Sequence, residues 1–320
     1  MDAVKTEIGT DISFAAELLK GGEVVGIPTE TVYGLAGNAL SPDAVIKIFE
    51  AKNRPFFDPL IVHCKSMDHV GNYVRSIPHW AETLAEAFSP GPITFLLPKN
   101  DSIPDIVTSG LDRVGIRIPS HPMLQGLLSQ LDFPLAAPSA NPFGYISPTT
   151  AQHVYDQLQG KIRYILDGGQ ASVGVESTIV GEEGGKVIVY RLGGVSVEEI
   201  EYLVGKVELR ISSSIPSAAG SLDSHYAPKT PFLLFSDRDT LPNDKNIGLV
   251  LFTKGYDLLP DSNQRILAPS GDLNEAAKNL FAFMRELDSS GYDAIYAEVV
   301  PEDGLGQAIN DRMKRASVVL

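Results

Sequence analysis

Apolar positions along the chain alternate between helical and extended spacing. In residues 11–20, DISFAAELLK, the side chains Phe14, Leu18 and Leu19 share one helical face, with Asp11 placed as N-cap and Gly21-Gly22 as the stop. GEVVGIPT then reads as a strand. SPDAVIKIFEAKNRP predicts a helix capped by Ser41, with Pro42 in its first turn and its end at or before Arg54, because Pro55 disfavours helical backbone in the residue before it. PLIVH is a buried strand, and PTETVYGLAGNAL reads as a strand end followed by a loop. Downstream, IPHWAETLAEAF, HPMLQGLLSQL, TTAQHVYDQLQ and VSVEEIEYLV carry helical spacing, and ITFLLP, VGIRIP, PLAAPSAN, KIRYILD, ESTIV and KVIVYRL carry extended spacing. Several strands follow one another with no helix between them. That predicts an α/β fold with a twisted, mixed parallel/antiparallel sheet rather than a wholly parallel one.

Periodicity lapses over residues 211–230, ISSSIPSAAGSLDSHYAPKT, which reads as a linker or lid. Beyond it PFLLFSD, IGLVLFT and DAIYAEVV are strand patterns, and LNEAAKNLFAFMREL and QAINDRMKRA are amphipathic helices. The predicted organisation is a catalytic domain over 1–210, a linker over 211–230 and a small C-terminal α/β domain over 231–320.

Composition narrows the function. With 320 residues, 43% hydrophobic and 21% charged, the chain can bury a core, which excludes a disordered or fibrous protein. Lys and Arg number 26 against 40 Asp and Glu, so the net charge of −14 repels phosphate backbones and anionic lipid, and any contact with nucleic acid must rest on a local patch. Cys64 is the single cysteine, which rules out an intramolecular disulfide and a cysteine-rich metal site. The N-terminus lacks a signal-like apolar run, and no stretch of about 20 apolar residues occurs. The expected location is cytoplasmic, with no membrane partner.

Glycine-rich nucleotide signatures are missing: there is no G-x-x-x-x-G-K-[ST] and no G-x-G-x-x-G after a strand. A phosphate site would have to be built from dispersed cations and loop amides. Lys52 and Arg54 close a helix, where they either complement its dipole or face an anion. Arg117 interrupts the apolar run VGIRIP, and so points either to solvent or into an anionic cleft. Thr29, Glu30, Thr31 and Tyr33 lie at a strand end, the usual place for ligands in open α/β sheets, or form a capped turn. His63 ends PLIVH, where a lone His is more often packed than liganding. Ser139 and Asn141 protrude between prolines, but no His and acid accompany Ser139 in a recognisable motif, which makes it a poor nucleophile.

In order and spacing, PTETVYGL, the K-x-R-P of Lys52 to Pro55, PLIVH, VGIRIP, the S-x-N of Ser139 to Asn141, VESTIV and YRLGG resemble the YrdC-like domain of threonylcarbamoyl-AMP synthases. HYAPKTP and GLGQAINDRMKRA resemble the linker and C-terminal domain of the long, two-domain form of that family. The resemblance implies a YrdC-like sheet domain followed by a small Rossmann-like one. It also implies a nucleotidyltransferase that makes L-threonylcarbamoyladenylate and pyrophosphate from L-threonine, bicarbonate and ATP with Mg2+. The product would pass to a tRNA threonylcarbamoyl-transferase, with at most a weak tRNA contact by this chain. By the same resemblance Lys52, Arg54, Ser139 and Asn141 form the catalytic set, and Thr31, His63, Arg117, Ala137 and Ser177 hold threonine. Arg54, Asp58, Arg113, Ser139, Ser147, Arg191 and Tyr226 lie near ATP, Asp58 standing where such proteins commonly carry Asn. No metal-ligating residues are implied. The alternative from another class is a non-catalytic double-stranded RNA-binding module.

Overall fold

The computed structural model describes residues 4–211, 226–242 and 246–317. Most of the expected linker, residues 212–225, lies outside the described residues. The predicted helix signals operate as expected. Asp11 accepts from Phe14 N, and Ser41 accepts from Ala44 N ahead of Pro42; the structure adds a capping box of Ser196 and Glu199 on Val197–Val204. Helix Pro42–Lys52 stops at Asn53, a left-handed C-cap with φ 51°, which turns the chain so that Arg54 folds back beside Lys52.

Among the described residues the strands form two sheets. The larger has eleven strands, in the order Glu7–Gly9, Tyr164–Leu166, Val25–Ile27, Gly34–Asn38, Leu135–Ala136, Ile61–His63, Arg113–Arg117, Ile93–Pro98, Thr178–Glu183, Lys186–Arg191 and Glu208–Leu209. Parallel and antiparallel pairings are mixed, as the closely spaced strand pairs require. One segment differs from expectation: GLAGN is not loop but strand Gly34–Asn38, antiparallel to Val25–Ile27. Helices Ile12–Lys20 and Pro122–Ser129 bury leucines against one part of this sheet, and Pro42–Lys52 and His79–Phe88 bury Ile48, Phe49 and Leu84 in its main core.

The smaller sheet, Phe232–Phe235, Ala294–Glu298, Ile247–Leu251 and Gln264–Ile266, is wholly parallel, as a Rossmann-like unit should be. Helices Leu273–Asp288 and Gly306–Ala316 accompany it. The apolar cluster around helix Leu273–Asp288 does not stay within that unit. It takes in Val32, Ile146 and Val175 from loops of the first sheet, together with Tyr226. Gly174, at φ +83°, lies so near the second unit that a Cβ would come within 2.4 Å of Ala277 O and Lys278 Cα. The two units therefore share one packed boundary.

Candidate active site

Strand register builds the floor of the site. Ile61–His63 runs parallel to Arg113–Arg117 with His63 directly beside Arg117, and Ala137 N donates to Ile61 O, so three of the expected residues converge at the strand ends. Arg117 therefore points inward: it is 4% exposed, and the interior alternative is the correct one. Its Nη1 donates to Thr31 Oγ1 at 2.8 Å, its Nε to Gly91 O at 3.3 Å, and its Nη2 lies 2.8 Å from Glu30 Oε1. Thr29 ties the loop by accepting from Thr31 N and Val32 N and donating to Val32 O. The capped turn of PTET is present, and Thr29, Thr31 and Val32 of the same loop line a cavity.

Thr31, His63, Arg117 and Ala137 line a cavity of about 50 Å3, together with Arg54, Ser139, Glu176, Ser177, Arg191 and Tyr226. Burial, reinforced by the Arg117 charge, holds the His63 imidazole down at about 3, so it is neutral at physiological pH. Its Nδ1 has no hydrogen-bond partner among the described residues. Burial raises the Glu30 carboxyl, but the charge and hydrogen bond of Arg117 outweigh it and leave Glu30 below its ordinary value.

A basic corner adjoins the cavity. Lys52, 1% exposed, donates to the carbonyls of Ser139 and Asn141, and so holds the S-x-N turn in place. Asn141 Nδ2 donates to Pro142 O and Tyr145 O, while its Oδ1 has no partner among the described residues. Arg54 donates to Asp58 O and Pro59 O and lies 2.8 Å from the carboxylate of Asp58. Burial and the neighbouring Arg54 charge push the Lys52 ammonium well below its ordinary value, against the opposing pull of Asp58.

The opposite wall carries Ser177, whose hydroxyl meets Thr94 Oγ1 at 2.7 Å and accepts from Arg191 at 3.0 Å. Arg191 also donates to Ser177 O. Gly193 of YRLGG makes this crossing feasible, because a Cβ there would lie 2.2 Å from Glu176 O. Ser147 does not face the cavity directly; its Oγ donates to Glu176 Oε1 at 2.7 Å. Burial pushes the Glu176 carboxyl up, yet Arg312 and Arg191 overcome it and hold the group at about 2. Tyr226 closes the cavity at 1% exposure, stacked on Phe281 at 5.4 Å. Arg113 is not brought to this wall: its guanidinium donates to Tyr190 OH at 2.9 Å and to Glu183 at 3.1 Å. Glu176 and Arg312 are absent from the expected site, and Glu30, placed in the candidate ligand loop, has no role assigned there.

A mixed sheet whose strand ends enclose a buried cavity lined by Arg54, Arg117 and Arg191 presents positive charge suited to an anionic ligand. Residues 17–193 match the Sua5/YciO/YrdC family, described as "Telomere recombination", and residues 195–318 match the family described as "Threonylcarbamoyl-AMP synthase, C-terminal domain". Over 324 residues the chain is 38% identical to the threonylcarbamoyl-AMP synthase of Pyrococcus abyssi, covering 96% of this chain and 94% of that one. The Bacillus subtilis threonylcarbamoyl-AMP synthase is 35% identical, with 98% and 96% covered. The crystal structure of P. abyssi Sua5 complexed with L-threonine superposes with a TM-score of 0.89 at 37% identity, covering 98% of this chain and 97% of that one. The chain belongs to the threonylcarbamoyl-AMP synthase family, in its two-domain form. It is an enzyme, which sets aside the non-catalytic RNA-binding alternative. No helix among the described residues is long and apolar enough to cross a membrane.

Proposed function

We propose that the chain condenses L-threonine, bicarbonate and ATP to L-threonylcarbamoyladenylate and pyrophosphate, for threonylcarbamoyladenosine modification of tRNA. The observation that carries this reading is the buried fork of Arg117, framed by Thr31, His63 and Ser177, beside the basic corner of Lys52 and Arg54. Each nitrogen of this guanidinium has one partner, Gly91 O, Thr31 or Glu30; with five N–H groups it still has donors to give the amino-acid carboxylate. Neutral His63 offers a ring nitrogen to the threonine amine or hydroxyl.

The threonine ammonium and bicarbonate give an N-carboxylate, releasing one water and one proton. An oxygen of that carboxylate then attacks the α-phosphorus of ATP in line, forming the new P–O bond as the bond to pyrophosphate breaks. Little of this needs a protein nucleophile; positioning and charge stabilisation suffice. Lys52, Arg54 and Arg191 supply positive charge, and Ser139 and Asn141 supply hydrogen-bonding groups on a turn that Lys52 itself pins. A triphosphate at this corner would favour the charged form of Lys52, which burial disfavours. Among the described residues no group of three His, Cys, Asp or Glu is gathered to hold a metal. Mg2+ would accompany ATP, supplying positive charge to the phosphates and asking few ligands of the protein. Tyr226 covers the nucleotide and keeps water from the carboxylated intermediate.

Pyrophosphate release from ATP and Mg2+, with threonine and bicarbonate omitted in turn, tests the reading. Release that needs both substrates is expected. Release that needs neither, or none from folded protein, would overturn it.

A further inference from the structure

The close approach at Gly174 and the shared apolar packing bring the second domain near the site, but one of its side chains goes further. Arg312, on helix Gly306–Ala316, is fully buried although it belongs to the other domain. Its Nε donates to Glu176 Oε2 at 2.8 Å, its Nη2 to Leu192 O at 2.6 Å and its Nη1 to Asp311 at 2.6 Å. Its guanidinium lies over the Tyr226 ring, 5.1 Å from the centroid. The second oxygen of Glu176 is taken by Ser147. One arginine thus ties together a carboxylate that lines the cavity, a serine behind it and the tyrosine that closes it.

We propose that Arg312 is a positioning residue for the reaction: through Glu176 and Tyr226 it sets the nucleotide-facing wall of the cavity, making the second domain part of the site's construction. The proposal rests on the synthase reading above, which puts Ser147, Arg191 and Tyr226 near ATP and Thr31, His63, Arg117, Ala137 and Ser177 near threonine. The side chains that Arg312 and Glu176 meet include Ser147 and Tyr226 from the first group; from the second, only Ser177 is adjacent, as the chain neighbour of Glu176, and its hydroxyl meets Thr94 and Arg191 instead. Loss of the contact should therefore weaken ATP more than threonine. A guanidinium is suited to this task because it presents two edges and a flat face at once, engaging a carboxylate, a carbonyl and a ring; an ammonium cannot do all three.

The experiment compares full-length wild type, Arg312→Met, Arg312→Lys, Glu176→Gln and the double variant Arg312→Met/Glu176→Gln. It measures steady-state KM for each substrate, kcat, the thermal transition, and ATP affinity by calorimetry. Arg312→Met and Glu176→Gln should each raise the KM for ATP by about tenfold while leaving kcat and the threonine KM within about threefold. The double variant should be no worse than the worse single, because both changes break one contact. Arg312→Lys should recover part of the loss. A purely stabilising Arg312 would lower the thermal transition and the active fraction with the ATP KM unchanged, and that result overturns the proposal, as do multiplicative single effects. If Arg312→Met does not fold, Arg312→Lys and Glu176→Gln decide the same question. Calorimetry separates the two readings. Wild type that binds ATP without releasing pyrophosphate removes the synthase reading, and the variants' ATP affinity still judges Arg312; wild type that binds no ATP overturns both.

Discussion

The two domains bury charge in different ways. In the first, the buried ionic groups pair largely among themselves around the cavity, Arg117 with Glu30 and Arg54 with Asp58. In the second, the described buried charged side chains are Arg285, Arg312 and Arg315, and all three reach out of their own unit. Arg285 donates to Ile146 O and Ser147 O, Arg312 to Glu176 and Leu192 O, and Arg315 to Ile211 O. The second sheet needs no buried ions for its own parallel core, which Leu249, Val250 and Ile295 fill. Its arginines serve the boundary. Carbonyls that the loops of the first domain cannot satisfy internally are met from across it, so those loops are fixed by a partner surface rather than by their own secondary structure.

Three changes sharpen that contrast. The largest effect is expected at Arg117→Ala, which strands Glu30 as a buried charge and removes the fork proposed for threonine. Loss of about 3–5 kcal/mol of stability is expected in denaturant titration, with pyrophosphate release down by about two to three orders of magnitude. An Arg117→Ala protein with native stability would mean that the ion pair is not a structural unit of the first domain.

Next comes the acid response. The folded pKa of His63 is about 3, below its ordinary 6.5, so the unfolded chain binds the proton first as pH falls. Its contribution to stability is complete above pH 6.5 and is lost as pH drops from there toward 3, with a slope of at most about 1.4 kcal/mol per pH unit. His63→Gln should flatten the stability profile across that window. An unchanged slope would show that His63 is protonated or exposed in the folded protein.

The smallest effect is expected at Asp58→Asn. This carboxylate sits 2.8 Å from Arg54 and offsets a cation proposed for the triphosphate. Its neutralisation should lower the apparent KM for ATP by a few-fold, roughly 1 kcal/mol or less. A raised KM would instead mean that Asp58 is needed to aim Arg54.

Much of the fold is legible in the residues because local rules decide it. The caps at Asp11 and Ser41, and the apolar runs PLIVH and VGIRIP, carry their own signals. Gly34–Asn38 escapes detection because it is buried on both faces and rich in glycine, so neither alternation nor β-propensity marks it. The direction of Arg117 is likewise undecidable from alternation; it follows from the parallel register that sets His63 beside it. Glu176 and Arg312 stand 136 positions apart, and nothing local links them. One trace does exist: Arg312 falls among Ala308, Ile309, Met313 and Ala316, on the buried face of its helix. An arginine there needs a buried partner. Arg113 shows the converse, since its place in the same strand as Arg117 does not reveal that its side chain meets Glu183 and Tyr190.

The most direct test of the proposed chemistry is threonine- and bicarbonate-dependent pyrophosphate release by Lys52→Ala and Arg54→Ala, assayed beside wild type with their unfolding transitions recorded. The basic corner predicts that both variants keep a cooperative transition and lose release. Turnover at the wild-type rate in both would contradict it.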